Sequence, residues 1–406
     1  MQNTDKTENQ TLLDKIAPYI FVFVSIIALL VVRSSLFFYQ SGDYVHFLRI
    51  WIDEFRTMTF FEGLGTTVSN YNPPYMYLLN IIARINAPDL VLIKIVSVFF
   101  DFLIAYFVMK IVSLKSNRLN MQILAFVLSF AIPTVIINSA MWGQCDSIYA
   151  AFAIGSFYFG LVKRSKMSYA FMALAISFKL QAAFLLPILP IFIMTKNIRL
   201  RDCYVFFAVY LAILLPAILA GMPLNEALLA YAEQAGYYNR LSLNMINIWR
   251  FIYLPDNFGH GFLEGFMTAG FFMTGVAVLG LMYFTFVHRS RMVNTVDFVR
   301  LAYLFAILIP FMLPKMHDRY YFMADILSVA LVIFDKRRWY VPVVTIFCSL
   351  ISYEYFLLYW TGTEVMEYKY LVIALMFIIF IVLRDHVISL RGATNDSTQP
   401  KQNTGS

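Results

Sequence analysis

Runs of about 20 mainly apolar residues, each long enough to cross a bilayer as a helix, recur along the whole chain. They lie near 16–38, 90–113, 121–139, 147–162, 202–220, 262–287, 297–313, 320–335, 339–358 and 369–384. The first run is too long for the apolar core of a signal peptide, and no small-residue cleavage site follows it, so we interpret it as a retained span. The pattern predicts an all-α polytopic membrane protein.

The stretch 168–195 is too long for one span, and Lys179, Gln181, Pro187 and Pro190 interrupt it. It predicts two short helices that form a hairpin. With this pair the chain is expected to have about twelve transmembrane helices, within a range of roughly 10 to 13.

Composition excludes the other broad classes of protein. Hydrophobic residues make up 61% of the 406 residues and charged residues only 14%, against about a quarter in soluble domains. A soluble enzyme, a disordered chain and a nucleic-acid-binding protein are therefore not expected. Three scattered cysteines are too few for a disulfide framework or a zinc cluster.

Basic residues predict the orientation, because cytoplasmic loops are enriched in Lys and Arg. Of the 31 basic residues, 20 fall on one side if 168–195 crosses the membrane twice or not at all. We therefore expect both termini in the cytoplasm, tails at 1–15 and 391–406, and one transmembrane domain at 16–390. The expected outer loops, which would carry the chemistry, are 39–89, 139–147, 221–261, 314–320 and 359–368.

The first outer loop opens with Ser41-Gly42-Asp43-Tyr44 and continues as an amphipathic pattern. Its apolar residues recur at helical spacing, which predicts a helix whose apolar face lies in the membrane interface. Asp43 has two interpretations: an N-cap of that helix, or a carboxylate that accepts a proton from an acceptor hydroxyl. The apolar positions are Tyr44, Phe47, Leu48, Trp51, Ile52 and Phe55.

Two further segments each allow a structural and a functional interpretation. In 138–147, Asp146 and Ser147 could cap the next helix while Trp142 anchors the interface, but a simple connector needs neither Gln144 nor Asp146. In 178–181, Lys179 is costly at membrane depth unless it is functional or its long stem reaches the outer interface.

The last polar segment is Pro314-Lys315-Met316-His317-Asp318-Arg319-Tyr320-Tyr321. Lys and Arg are unusual on an outer face, and Lys315 with Arg319 would suit a phosphate group. The alternative is an ion pair of Arg319 with Asp318 or with another outer carboxylate. An ordinary turn accounts well for the Tyr71-Asn72-Pro73-Pro74 segment, which taken alone is weak evidence of a binding element.

Taken in order, these segments resemble the GT-C superfamily of integral-membrane glycosyltransferases, and most of all bacterial relatives of the GPI mannosyltransferases. A fainter likeness is to the dolichyl-phosphate-glucose glucosyltransferases. The residues that carry the resemblance are Gly42-Asp43-Tyr44, Tyr71-Asn72-Pro73-Pro74, Trp142-Gly143-Gln144-Cys145-Asp146-Ser147, Phe178-Lys179-Leu180-Gln181, 244–249 and Lys315-Met316-His317-Asp318-Arg319-Tyr320.

The resemblance implies a GT-C-like fold, a polyprenyl-phosphate sugar donor and transfer with inversion. Asp43 would be the general base, and Arg319 would stabilise the departing lipid phosphate. His317, Lys315 and Lys179 would assist at that phosphate. The residues implied to contact the sugar or the acceptor are Gln144, Asp146, Gln181, Tyr44, Asn72 and Asn247.

The chain also departs from the family pattern. Asn72 stands where the eukaryotic glucosyltransferases carry an acidic residue, and Asp318 stands where the bacterial relatives often carry Glu. The first loop has no Asp-x-Asp motif, so we expect neither a metal nor another cofactor, with a divalent metal as the alternative.

We therefore expect a hexosyltransferase that moves mannose, glucose or galactose to an acceptor glycan or glycolipid at the outer face of a plasma membrane. Its partners would be the lipid donor, the acceptor and the bilayer, with no nucleic acid. By resemblance, the membrane would be bacterial and the carrier undecaprenyl phosphate. The main alternative is a transporter or flippase of lipid-linked sugars, in which Asp101, Asp325 and Lys179 would bind substrate or ions. A membrane scaffold would not explain the outer carboxylates.

Overall fold

The computed structural model describes residues 12–69, 71–228, 231, 240–252, 260–358 and 368–392. The α-helices are α1 Leu12–Leu36, α2 Arg49–Thr57, α3 Phe60–Gly65, α4 Pro73–Ile82, α5 Asp89–Ser113, α6 Leu119–Phe130, α7 Pro133–Ile136, α8 Asp146–Leu161, α9 Ser165–Phe178, α10 Ile188–Met194, α11 Tyr204–Leu219, α12 His260–Val287, α13 Thr295–Met312, α14 Phe322–Phe334, α15 Tyr340–Leu358 and α16 Tyr368–Arg391. Turns of π-helix occur at Tyr44–Leu48 and Ile137–Trp142, and turns of 3-10 helix at Leu180–Leu185, Leu200–Cys203, Ile248–Phe251, Arg289–Arg291 and Lys336–Arg338. Two short strands, β1 Ser242–Leu243 and β2 Met316–His317, complete these elements.

The prediction of an all-α membrane protein is confirmed. Six helices in the described part of the chain are long and apolar enough to span a bilayer, and a seventh span arises if the pair Leu119–Phe130 and Pro133–Trp142, bent by 49°, counts as one. The predicted spans at 147–162 and 320–335 correspond to the shorter helices α8 and α14. The six are Ile16–Leu36, Asp89–Ser113, Leu200–Leu219, Gly261–Val287, Thr295–Met312 and Tyr368–Arg391.

Helix α14 forms the centre of the bundle. Eleven of its 13 residues are buried, and it packs against α5, α6, α13 and α15. Helices α1, α11 and α12 lie at the periphery and expose most of their apolar side chains. This distribution suits a protein surrounded by lipid, since apolar side chains on its surface do not face water.

The stretch predicted to be a hairpin is broken at Lys179, where the backbone is extended between α9 and the following 3-10 turn. Its two ends return to the same place. The Ser165 Oγ accepts a hydrogen bond from the Arg199 N–H at 3.0 Å, and the Asn197 side chain donates to the Gly160 carbonyl at 3.3 Å. The stretch therefore starts and finishes at one end of the bundle.

The segment predicted to be the first outer loop folds into α2, α3 and α4. The predicted helix is present, but its apolar face packs against α4 and the start of α5 instead of lying free for the membrane interface. Trp51, Ile52 and Phe55 are buried there. Contact with α4 removes much of this apolar face from water, whereas Phe47 of the same face is 47% exposed. A position of this helix in the membrane interface stays a prediction.

The two strands bring distant segments together. Strands β1 and β2 pair in parallel, with Ser242 opposite Met316 and Leu243 opposite His317. The Lys315 N–H donates to the Leu241 carbonyl at 2.9 Å and the Asp318 N–H to the Leu243 carbonyl at 3.0 Å. The last polar segment is thereby held beside residues 241–247. The expected tails and the loop 359–368 lie mostly outside the described residues, as does part of 221–261.

Candidate functional site

A cavity of about 560 Å³ lies where four polar segments meet. The turn after α1, the turn before α8, the break at Lys179 and the segment after α13 each supply part of its wall. Most of the predicted site residues therefore share one space. Those lining the cavity are Asp43, Gln144, Lys179, Gln181, Lys315, His317 and Arg319.

Asp43 occupies the N-cap position of the first π-helical turn, but its side chain makes no capping hydrogen bond. Instead, its Oδ2 accepts a hydrogen bond from the Trp142 indole Nε1–H at 2.9 Å and a second from the Gln144 side-chain amide. The Ser41 hydroxyl donates to the Trp142 carbonyl at 2.8 Å, which ties the two segments together. The carboxylate is thus fixed by the 138–147 segment, and the N-cap interpretation does not describe it.

Asp146 lies behind the cavity wall and is 1% exposed. Its carboxylate forms an ion pair with the Lys179 ammonium, a second with the Arg319 Nε at 3.4 Å, and accepts a hydrogen bond from the Asn138 amide at 2.8 Å. Lys179 is therefore held inside the protein, and neither a snorkelling lysine nor a simple helix cap fits these contacts.

Arg319 lies over the Trp142 ring, with its guanidinium carbon 5.3 Å from the ring centroid. It also forms an ion pair with Asp318 at 3.6 Å. The ion-pair interpretation of Arg319 thus describes its observed contacts, while binding of a phosphate stays a prediction.

Burial shifts the two residues that precede Arg319 towards their neutral forms. Desolvation raises the pKa of Asp318 to about 7, although the nearby Arg319 opposes the shift. Burial, together with the positive charges of Arg319 and Lys179, lowers the pKa of His317 well below its usual value. A neutral His317 would act at a phosphate as a hydrogen-bonding group and not as a cation.

Besides Asp146, three predicted residues do not line the cavity. Tyr44 is buried in the core formed by α2 and α4. Asn72 is buried at the start of α4, where its amide donates to the Ser177 carbonyl at 3.0 Å. Asn247 is fully buried beside the 3-10 turn that follows β1. A role of these side chains in binding sugar or acceptor stays a prediction.

The sequence interpretation missed the aromatic part of the wall. Tyr71 lies 5.6 Å from Trp51 and 5.3 Å from Tyr75 between ring centroids, and the Lys179 ammonium is 6.0 Å from the Tyr71 ring. Burial raises the pKa of Tyr71 to about 12. The sequence did contain a sign of this aromatic wall. A buried indole or phenol needs a polar partner, and both Trp142 and Tyr71 occur beside polar residues.

Part of the cavity wall is apolar and exposed. Phe47, Phe271 and Phe356 line it and are also exposed. The lining therefore combines a carboxylate and cations with exposed aromatic rings. Such a combination fits a ligand with a charged head and a hydrocarbon tail.

The two acidic residues that a transporter would use lie elsewhere. Asp101 forms an ion pair with Arg33 at 3.1 Å and accepts hydrogen bonds from Ser139 and Ser147, both at 2.6 Å. Asp325 accepts a hydrogen bond from the Thr134 hydroxyl at 2.7 Å. Neither carboxylate lines the cavity at Asp43.

Comparison of the chain with protein-family models and with curated proteins gave no match. In the described ranges, no three or more His, Cys, Asp and Glu side chains come together as a group that could hold a metal ion.

Proposed function

We propose that this protein is an inverting glycosyltransferase that moves a hexose from a polyprenyl-phosphate donor to an acceptor glycan or glycolipid. The observation that carries the proposal is the position of Trp142. Its indole N–H donates to the Asp43 carboxylate, and the Arg319 guanidinium lies over its ring. One side chain thus places a candidate base and a candidate phosphate-binding cation at one polar centre.

The proposed reaction uses the two groups on opposite sides of the anomeric carbon. Both hydrogen bonds to Asp43 end on Oδ2, so Oδ1 lies outside this pair and would accept the proton of the acceptor hydroxyl. The acceptor oxygen bonds to the anomeric carbon as the bond to phosphate breaks, and the electron pair leaves on the lipid phosphate. Arg319, Lys179 and Lys315 would stabilise that negative charge.

A phosphate at this place would share the cations with Asp146, which already binds Lys179 and Arg319. The ammonium of Lys179 has three protons, and Arg319 has five N–H groups, so both can hold a carboxylate and still donate to a ligand. Asp146 would then orient the two cations while the donor is absent. The exposed rings of Phe47, Phe271 and Phe356, which line the cavity, would contact the first isoprene units.

The proposal includes about twelve spans, cytoplasmic termini and a site at the outer face of a plasma membrane. Support for the topology comes from the stretch broken at Lys179, because both of its ends lie at one end of the bundle. That arrangement is the condition under which the basic clusters share one side.

The test is release and transfer of sugar by purified protein. Synthetic polyprenyl-phosphate mannose, glucose and galactose are supplied with an acceptor-rich membrane extract, and released lipid phosphate and labelled product are measured. Asp43→Asn should lower kcat at least 100-fold, as expected for loss of a general base, with little change in donor binding. Arg319→Ala should lower both kcat and donor affinity.

The matched control is Asp53→Asn. Asp53 is an exposed carboxylate on α2, with its side chain 55% exposed and paired with Arg49 and Arg56, so activity should be unchanged. Turnover that survives Asp43→Asn would refute the assigned base. No release from any donor by wild-type protein, combined with movement of lipid-linked sugar across vesicles, would favour the flippase alternative.

A further inference from the structure

A second cleft, with a volume of about 760 Å³, lies at the end of the bundle where α8 and α10 finish and α9 and α11 begin. It contains six basic side chains and one acidic side chain, that of Asp202. None of the six forms an ion pair with any residue in the described ranges. The six are Lys163, Arg164, Lys166, Lys196, Arg199 and Arg201.

The basic residues come from two segments that are joined by hydrogen bonds. The Arg199 N–H bonds to the Ser165 Oγ at 3.0 Å, and Asn197 bonds to the Gly160 carbonyl at 3.3 Å. Charges that serve only to orient a membrane protein need to be on the correct side and need not converge. Here two clusters about 30 residues apart in the chain line one cleft.

Two of the lysines occupy backbone positions at which glycine is favoured. Lys163 has φ of 58° and Lys196 has φ of 60°, both in the left-handed region. Each lysine ends a helix in the same way. The Arg164 N–H donates to the Phe159 carbonyl at 2.9 Å, and the Asn197 N–H donates to the Phe192 carbonyl at 2.8 Å. Glycine is the usual residue in this helix-ending motif. Here a lysine stands at each of these two helix ends, and both lysines line the cleft.

The surroundings of the cleft indicate what kind of anion would bind. The first turn of α9 begins in the cleft, and helix N-termini favour anions such as phosphate. Beside it, α11 starts with Tyr204 and continues with Phe207, Leu211 and Leu215, an apolar face on the protein surface. An acyl chain could lie along that face while its headgroup occupied the cleft.

We propose that this cleft binds a phosphate group, and the face of α11 makes an anionic phospholipid the expected source. Basic clefts between helices at the membrane surface suit such headgroups because the positive side chains and the apolar helix bind the two parts of one molecule. The site lies apart from the cavity at Asp43 and does not depend on the proposed transferase activity.

The test measures binding to purified protein in dodecyl maltoside through the shift of Tm. Phosphatidylglycerol is titrated in one arm, phosphatidylcholine in the second and inorganic pyrophosphate in the third. The main variant is the double substitution K163G/K196G, which removes two charges where glycine suits the backbone, so the fold should be retained. The control is K115Q/R118Q, which removes two charges from the loop between α5 and α6.

Phosphatidylglycerol should raise Tm in wild-type and control protein, while phosphatidylcholine should not. Its apparent Kd should rise on the order of 30-fold in K163G/K196G, since each basic residue at an anionic surface contributes a factor of about five. A response to pyrophosphate of the same size and the same dependence on these lysines would support the site with a soluble phosphate as its ligand. Equal weakening in the control, or no charge-dependent binding, would overturn the proposal.

Discussion

The pair formed by Arg33 and Asp101 should control how firmly α1 is attached to the bundle. Both side chains are 0% exposed, and the Arg33 Nε and one terminal nitrogen reach the Asp101 Oδ2 at 3.2 and 3.1 Å. Arg33 also donates to the Phe130 carbonyl at 2.8 Å. Most of the remaining surface of α1 is exposed, so this pair is a main polar link between α1 and the helices beside it.

Removing one partner leaves the other charge buried without compensation, which typically costs about 3–5 kcal/mol. Arg33→Met or Asp101→Asn alone should therefore lower the free energy of unfolding by about that amount. The double variant R33M/D101N removes both charges, and the Ser139 and Ser147 hydroxyls, now 2.6 Å from Asp101, can still bond to an amide. We expect the double variant to be more stable than either single variant.

The assay is reversible unfolding in mixed micelles of dodecyl maltoside and SDS, followed by tryptophan fluorescence. Asp53→Asn is the control, because its exposed ion pairs should contribute within about 1 kcal/mol. If the losses in the two single variants simply add in the double variant, the two side chains do not stabilise each other and the reasoning is refuted.

Three further predictions concern the site and the packing. Trp142→Phe keeps an aromatic ring under Arg319 but removes the hydrogen bond to Asp43. The kcat should fall roughly 10- to 100-fold, with KM little changed. A fall of the same size in the Asp43→Asn background would contradict the coupling between Trp142 and Asp43. Gly160→Ala should destabilise the protein by about 1–3 kcal/mol, because an added Cβ would lie 2.1 Å from the buried Phe192 ring. The control Gly275→Ala, where an added Cβ would meet nothing within 4 Å, should not destabilise it. Equal Tm values for the two variants would be inconsistent with this packing. Because the pKa of Asp318 is raised to about 7 in the folded protein, its contribution should lower the stability as pH rises from about 4 to 7 and should be constant above pH 7. The difference in Tm between wild type and Asp318→Asn should therefore vary with pH only in that window. A difference that stays constant would argue against the raised pKa.

The positions of the helices could be predicted because apolar length and composition are local properties of the sequence. The break at Lys179 was also predictable, since Lys179, Gln181 and two prolines interrupt an otherwise apolar stretch. The packing of α2 was not predictable in the same way. Its apolar face is equally suited to a membrane interface and to a neighbouring helix, and only the fold of α4 decides between them.

For the site, the sequence indicated the residues but not their partners. Asp43, Gln144, Lys179 and Arg319 were all identified, but spacing alone left capping, snorkelling and ion-pair alternatives open. The deciding contacts join residues far apart in the chain: Asp43 is separated from Trp142 by 99 positions and from Gln144 by 101. Such pairings depend on how helices pack, which periodicity does not specify.

The contacts of Asp146 have a consequence for how the protein is made. Lys179 follows Asp146 by 33 residues and can neutralise it as soon as the two short helices have entered the membrane. Arg319 is synthesised much later, after α13. A ribosome-bound intermediate can therefore carry Asp146 in a membrane with one cation already beside it, and the polar centre is completed only when α13 and the segment that follows it have been added.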